Sequence, residues 1–164
     1  MPTGAKSKTG GERVRQFGVF LENKVGRLLE LIRLLDSHNV HILGLSVVDT
    51  ADSAIVRLVT DDPDRAGKIL REQGIAYSEC RLVTVELQSS SEDLRKVFVA
   101  LIEAELNVRF TYPLLTRPHG NAVLAIYCDD NDFATEVLTR HQFRLLYQED
   151  LSREDKLRIA AFSS

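Results

Sequence analysis

Residues 20–47 read FLENKVGRLLELIRLLDSHNVHILGLSV, and this stretch decides the fold. It begins inside a β-prone run that spans residues 14–21, passes through a polar loop that ends at Gly26, and then changes to a helical period. One face of the predicted helix carries apolar residues three and four apart: Leu28, Leu31, Ile32 and Leu35. A second β-prone run follows over residues 40–48. The pattern predicts two strands joined by an amphipathic helix that covers a sheet.

The rest of the first half adds a strand, a helix and a strand. Residues 54–59 are β-prone, and a polar connection joins them to the preceding strand as a hairpin. Asp62 and Pro63 open a helix, since aspartate accepts bonds from free N–H groups and proline is tolerated in the first turn. Gly74 closes that helix, and residues 75–80 form the next strand. The first half therefore has the order βαββαβ.

The same order of elements repeats in the second half. Its strands are predicted over residues 81–87, 107–115, 122–128 and 144–150, and its helices over residues 91–106 and 132–141. A shift of 66 carries Leu28, Leu31, Leu35 and Val40 onto Leu94, Val97, Leu101 and Leu106. A shift of 68 carries the pair Asp61-Asp62 onto Asp129-Asp130, and both pairs are interpreted as helix caps. A repeat this continuous indicates a duplicated unit.

These elements predict an α+β protein of two tandem ferredoxin-like βαββαβ domains. Right-handed crossovers give each domain an antiparallel four-stranded sheet with both helices on one face. The opposite face and the edge strands then need cover, so we expect a homodimer. The predicted divisions are a flexible tail at 1–13, domains at 14–80 and 81–151, and a C-terminal extension at 152–164.

The composition argues against several classes of protein. The net charge is -3 and basic residues are scattered among acidic ones, which offers no basic face for nucleic acid. No apolar run reaches the roughly 20 residues of a membrane span, and the first residues lack the apolar stretch of a signal peptide. We therefore expect a cytoplasmic protein with no nucleic-acid or membrane partner. Cys80 and Cys128 stand alone and are interpreted as buried reduced thiols, so no disulfide or metal site is predicted.

The quoted stretch resembles the ACT family of small-molecule-binding regulatory domains. The family pattern is a strand, a polar loop that ends in glycine, a helix with leucine two residues later, and a small polar residue that enters the second strand. Gly26, Leu28 and His41 occupy those places. Many members have proline where this chain has Val25 and asparagine where it has His41, which leaves the identity of the ligand open. The resemblance is strong in the first repeat and one of pattern only in the second, and it implies a tandem ACT protein that binds an amino acid.

The chemistry of the loop agrees with such a ligand. The N–H groups of Val25, Gly26 and Arg27 lie at a predicted helix N-terminus, where free donors and the helix dipole favour a carboxylate. Asn23 both donates and accepts hydrogen bonds, and His41 is the second polar residue we expect at the ligand. Each has a structural alternative: Gly26 permits a tight turn, Asn23 caps the helix, and His41 is an exposed strand residue.

The second repeat lacks this loop. Residues 89–92 read SSSE and Asp93 follows, so the glycine is replaced and two carboxylates lie in the first turn of the helix. Those acids satisfy the helix terminus themselves and repel an incoming carboxylate. Asn107 corresponds to His41 and is the residue type usual in the family. The predicted ligand-binding residues are Asn23, Lys24, Val25, Gly26, Arg27, Leu28, His41 and Asn107.

From these features we expect a non-catalytic amino-acid sensor whose ligand is held at a domain interface by the loop that ends at Gly26 in the first domain. No nucleophile with a base, metal-ligand spacing or phosphate-binding motif is recognisable, so no catalytic residue and no cofactor is predicted. One alternative is the regulatory subunit of a biosynthetic enzyme, since the first repeat is also similar to the small subunit of acetolactate synthase. A catalytic subunit would then be the partner. Another is an enzyme in its own right, if His41 or Cys128 lay in a closed pocket beside an activating group.

Overall fold

The computed structural model describes residues 11–22 and 25–152, which form seven strands and four main helices. The strands are β1 (Val14–Glu22), β2 (Ile42–Asp49), β3 (Ser53–Thr60), β4 (Tyr77–Leu87), β5 (Val108–Pro113), β6 (Ala122–Cys128) and β7 (Leu145–Leu146). The helices are α1 (Arg27–Ser37), α2 (Pro63–Glu72), α3 (Ser90–Glu103) and α4 (Asn131–Arg140). No helix of the described residues has the length and apolar character needed to cross a membrane.

The predicted fold class is confirmed, with one strand shared between the two units. The strands pair antiparallel in the order β2-β3-β1-β4-β6-β5, and β7 also pairs with β4. The first part of β4 pairs with β1, from Tyr77 to Leu82, and the second part pairs with β6, from Val83 to Leu87. Two separate strands were expected here. The chain continues without a turn because residues 77–87 contain no glycine, proline, asparagine or aspartate.

The last predicted strand is much shorter than expected. The repeat predicts a strand over residues 144–150, but only Leu145 and Leu146 pair with β4, and residues 148–152 are helical. The buried Gln148 side chain explains this change of direction. Its Nε2 donates to the Thr60 carbonyl at 3.0 Å, and its Oε1 accepts the Arg15 N–H at 3.0 Å. The segment after β7 is thereby tied to the first unit.

The sheet curls until its two end strands meet. Gly44 of β2 forms an isolated antiparallel bridge with Leu114, which directly follows β5, and the Leu115 N–H donates to the Leu43 carbonyl at 2.7 Å. A Cβ at Gly44 would lie 2.5 Å from the Leu114 Cδ2, so only glycine allows this approach. The curl brings the helix-free faces of the two units against each other.

Three buried clusters follow from this arrangement. One lies under α1 and α2, around Phe17 and Leu35, and another lies under α3 and α4, around Leu101 and Ile126. The third lies between the helix-free faces and takes residues from both units: Val14, Leu43, Val59, Leu82, Tyr112, Leu114, Val123, Ala125, Leu146 and Leu151. The Tyr112 hydroxyl donates to the Gln16 Oε1 at 2.7 Å across this cluster.

The third cluster removes the reason given above for a homodimer. That prediction rested on helix-free faces and sheet edges left without cover, whereas here one unit covers much of the face of the other and β2 meets the end of β5. Both repeats lie in one chain, so each repeat covers the helix-free face of the other. A dimer therefore needs a different surface.

Candidate functional site

The β1–α1 loop has the geometry that its glycine predicts. Gly26 has φ 91°, in the left-handed region that glycine adopts without strain, and α1 begins at the next residue. No described residue lies within 4 Å of the position that a Cβ would take, so this part of the structure leaves the loop surface at Gly26 open. Val25 is fully exposed beside it. Asn23 and Lys24, two of the predicted ligand-binding residues, lie outside the described residues.

A cleft of about 530 Å³ opens beside this loop. Its walls come from the end of β1, the first turns of α1 and the turn that follows α2, at residues 73–76. The turn reaches the cleft because the Phe20 N–H donates to the Ala76 carbonyl at 3.1 Å, just before β4 begins to pair with β1. Gly74, with φ 66°, ends α2 and lets the chain return to the sheet.

The cleft combines opposite charges with an apolar wall. Arg27 and Glu30 lie on the α1 side, and the Arg27 Nη1 is 3.3 Å from the Glu30 Oε2. Leu34 continues the same face of α1, Ile75 adds apolar surface from the turn that follows α2, and the Phe20 side chain, 48% exposed, lies at the end of β1. A guanidinium and a carboxylate a few ångströms apart match the carboxylate and ammonium groups of a free amino acid.

Leu28 belongs to a second, smaller cleft on the other side of Arg27. This cleft has a volume of about 310 Å³ and is lined by α1, the end of β2 and the start of β3. Val47, 47% exposed, is part of its apolar wall. The predicted residues Val25, Gly26, Arg27 and Leu28 are therefore grouped around one helix N-terminus, between two clefts.

His41 lies at the opposite end of the first unit. Its backbone N–H donates to the Asp61 Oδ1 at 2.8 Å, and its Nδ1 is 2.9 Å from the Asp61 Oδ2. The buried Asp61 holds the start of β2 against the end of β3, whereas the Gly26 loop lies beside the start of β3. The full length of β3 separates them, about 20 Å. Within one chain, His41 does not reach the loop.

Asn107 has the same structural setting in the second unit. Its backbone N–H and its Nδ2 donate to the two Asp129 carboxylate oxygens, at 3.3 and 3.2 Å. The Asp129 N–H donates in return to the Asn107 carbonyl at 3.1 Å, as the Asp61 N–H does to the His41 carbonyl at 3.0 Å. These two equivalent pairs clamp the strand ends of their units.

The two aspartates of each acidic pair have different roles. Asp62 and Asp130 are the helix caps that the sequence predicts, since they accept the N–H of Arg65 at 3.2 Å and of Phe133 at 3.0 Å. The preceding Asp61 and Asp129 were interpreted as caps as well. Instead, they accept hydrogen bonds from the start of the second strand of each unit. Each aspartate directly follows the strand that pairs with that second strand, so its carboxylate reaches across to it.

The β–α loop of the second unit is closed by its own side chains. The Asp93 Oδ2 accepts the Ser89 N–H at 2.8 Å, as expected from the acidic first turn of α3. Glu86 takes the place in β4 that Phe20 takes in β1, since its N–H donates to the Arg144 carbonyl at 2.9 Å just as that of Phe20 donates to Ala76. A buried carboxylate therefore stands where the first unit exposes an aromatic ring.

The two cysteines are free thiols. Cys128 is buried, and its burial, with Asp129 and Asp130 nearby, raises the pKa of the thiol to about 11. Cys80 is half-buried, and burial raises the pKa of its thiol too. Because the thiolate is the reactive form, both are poor nucleophiles at neutral pH.

Sequence reasoning did not find Glu30 or the turn at residues 73–76. Both are parts of the cleft only because β4 returns antiparallel to β1 and carries the end of α2 to the end of β1. Gly74 was the available signal. A helix can end in a left-handed glycine and lead into a strand that pairs with the strand before a binding loop. The end of that helix then forms a second wall of the site.

The fold and the loop define the class of protein: two ferredoxin-like βαββαβ units joined through a shared strand. A family model described as an ACT domain pair matches residues 12–154, and the chain belongs to this family. ACT domains are regulatory. The resemblance inferred from residues 20–47 is thereby confirmed.

Solved structures agree with this assignment. Protein BT0572 from Bacteroides thetaiotaomicron is similar over 85% of this chain and 96% of its own, with 28% identity and a TM-score of 0.78. The regulatory subunit of aspartate kinase from Thermus thermophilus shares the fold, with 13% identity and a TM-score of 0.55 over 79% of this chain and 93% of its own. That from Thermus flavus has 14% identity and a TM-score of 0.54 over the same shares. No curated protein matches the chain.

Proposed function

We propose that the protein is a non-catalytic regulatory protein that binds a free amino acid beside the β1–α1 loop of its first unit. The observation that carries this proposal is the cleft in which Arg27 and Glu30 stand against an apolar wall, next to the open glycine at the start of α1. The ACT family assignment supports a regulatory role. The proposed location is the cytoplasm, where free amino acids meet the enzymes that make them.

The proposed ligand contacts both the charged residues and the apolar wall of the cleft. Its carboxylate lies toward Arg27 and the first N–H groups of α1, where the helix dipole favours an anion. Its ammonium group lies toward Glu30, and its side chain contacts the apolar wall at Leu34 and Ile75. An amino acid with an aliphatic or aromatic side chain fits this division best. Asn23 and Lys24 are proposed as further ligand-binding residues.

His41 and Asn107 are proposed to act on the ligand only across a contact between chains. Within one chain each is held by an aspartate at the far end of its unit. Their proposed role in the isolated chain is to fix the strand ends that set the shape of the sheet.

A thermal-shift screen of the twenty amino acids tests the proposed function. A ligand that binds only the folded state stabilises it by about 2.7 kcal/mol at a hundred times its Kd, which is roughly 5–10 °C for a chain of this size. Gly26→Asp is expected to weaken this binding about tenfold or more, because the new carboxylate repels that of the ligand.

Gly26→Asn is the matched control. Asparagine and aspartate have nearly the same size and both tolerate a positive φ, so the backbone strain is the same in both variants and only the charge differs. Gly26→Asn should therefore retain most of the shift. If no amino acid shifts the wild-type transition, the sensor proposal is wrong, and equal shifts in both variants would place the site elsewhere.

A second proposal is that the chain regulates a biosynthetic enzyme as a separate subunit. The regulatory subunit of aspartate kinase has the same fold over nearly its whole length, which favours this reading over a chain that acts alone. Acetolactate synthase remains an alternative of the same kind. Purification of the tagged chain from its native cells, followed by identification of a large catalytic subunit, would decide for this proposal.

A further inference from the structure

The outer face of α3 is unusually apolar for a solvent-facing helix. Val99 is 42% exposed and Ile102 is 71% exposed, and Phe98 beside them is only partly buried. A groove of about 220 Å³ runs along the same face, between α3 and the end of α4, and Phe143 lies in it. Exposed apolar side chains grouped around a groove are typical of a contact surface.

The matching face of α1 is polar at the two places of Val99 and Ile102, although it carries Leu29, 48% exposed, at the place of Arg95. The shift of 66 that relates the two repeats places Arg33 where Val99 stands and Asp36 where Ile102 stands. Both Arg33 and Asp36 are exposed. The two helices descend from one repeated pattern and cover equivalent sheets, so the fold itself does not require the apolar residues of α3.

The charges on this face of α3 are arranged symmetrically about Val99. Arg95 lies four residues before it and Glu103 four residues after it, so the three side chains share one face of the helix. Lys96 is paired with Glu92 at 3.2 Å, whereas neither Arg95 nor Glu103 has an ion-pair partner among the residues that the structure describes. The face therefore carries one unpaired cation and one unpaired anion at equal distances from an apolar centre.

We propose that α3 is the dimerisation surface of this protein, and that its partner is a second copy of the same chain. Two α3 helices pack antiparallel about a two-fold axis at Val99, and each Arg95 then stands opposite Glu103 of the other copy. An isologous contact requires this self-complementarity, and a single helix face satisfies it here. The antiparallel arrangement also sets the helix dipoles in opposition.

The groove gives this helix pair a place to pack. Its floor includes Ala100, a small residue that allows a second helix to approach closely, and His141 and Phe143 form its outer wall. Val99 and Ile102 of the second copy are the apolar side chains that the groove accepts. The remaining charged residues of the face, Glu92 and Lys96, neutralise one another at its edge.

Sedimentation velocity of the full chain and its charge variants tests the proposal. The wild type is expected to form a dimer, and Arg95→Glu and Glu103→Arg are each expected to raise the dimer Kd at least tenfold, because each places like charges opposite one another twice. An equimolar mixture of the two variants is expected to recover the dimer as a heterodimer, since both contacts are then between opposite charges.

Arg33→Glu is the matched control, because it reverses a charge at the place on α1 that corresponds to Val99. It should leave the dimer intact. Circular dichroism of each variant checks that α3 still folds. The proposal is overturned if the wild type is monomeric, if the charge variants dimerise as tightly as the wild type, or if the mixture of variants stays monomeric. A monomeric wild type would leave the groove to a different occupant.

Discussion

Gly44→Val is expected to lower the free energy of unfolding by about 3 kcal/mol. The reason is the contact by which the sheet closes on itself. A Cβ at this position would lie 2.5 Å from the Leu114 Cδ2 and 3.3 Å from the Val59 Cβ. All three residues are buried, so neither neighbour can turn its side chain into solvent. Gly44→Ala should show the smaller loss of about 1–2 kcal/mol in the same urea titration.

A second substitution separates this contact from a general effect on β2. Leu114→Ala removes the atom that the new Cβ meets, so the Gly44→Ala/Leu114→Ala double variant should lose about 1 kcal/mol less than the sum of the single variants. Leu115→Ala is the control, because Leu115 is adjacent but 70% exposed, and it should change stability by less than about 0.5 kcal/mol. Strict additivity at Gly44 and Leu114 would mean that the two units do not meet there.

The local parts of this fold could be predicted from the sequence. The stripe of Leu28, Leu31 and Leu35 places α1, and the Asp62 and Asp130 side chains begin α2 and α4 as expected. These features depend on residues within one or two turns of each other. A single sequence contains that information directly, because helix period and capping are local properties.

The closure of the sheet could not be predicted in this way. It depends on Gly44 and Leu114, which are 70 positions apart and carry no local signal beyond a glycine inside a strand. That β4 is one continuous strand could not be predicted either, because each half of β4 looks like a complete strand by itself. The expectation of uncovered faces failed for this reason, since two domains considered separately each lack the cover that the other provides.

The candidate site was predictable only on one side. The loop at Gly26 follows from a glycine before an amphipathic helix, and the structure places Val25 to Leu28 around the helix N-terminus. The opposite wall comes from residues 73–76, and it depends on how β4 returns to β1. His41 is predicted as a second polar residue at the ligand, and within one unit β3 separates it from the loop, since a residue that enters β2 lies at the end of the sheet opposite the β1–α1 loop.

The carboxylate of Glu86 is almost fully buried and is surrounded by three polar side chains. Its Oε2 is 3.0 Å from the His119 Nδ1 and 3.7 Å from the Arg144 Nε, and its Oε1 accepts the Asn121 Nδ2 at 2.5 Å. Burial raises the pKa of Glu86, but the hydrogen bonds from Asn121 and His119 outweigh it and hold the pKa below its usual value. His119 and Asn121 lie in the loop that follows Leu114, so this cluster also fixes the segment at which the sheet closes.

Glu86→Gln keeps the size of the side chain and removes its charge, and it is expected to cost about 1.5–3 kcal/mol at pH 7. Because the folded pKa lies below the unfolded value of about 4.3, the carboxylate contributes its stability above that pH and loses it as the pH falls through the folded pKa. The difference between wild type and variant in urea titrations should therefore shrink below about pH 4.

Glu136→Gln, at an exposed acid of α4, should change stability by less than about 0.5 kcal/mol at either pH. A Glu86→Gln loss that is the same at pH 7 and pH 3 would show that shape, not charge, holds the loop. A loss that disappears in acid would show that the charge of Glu86 holds this loop in place.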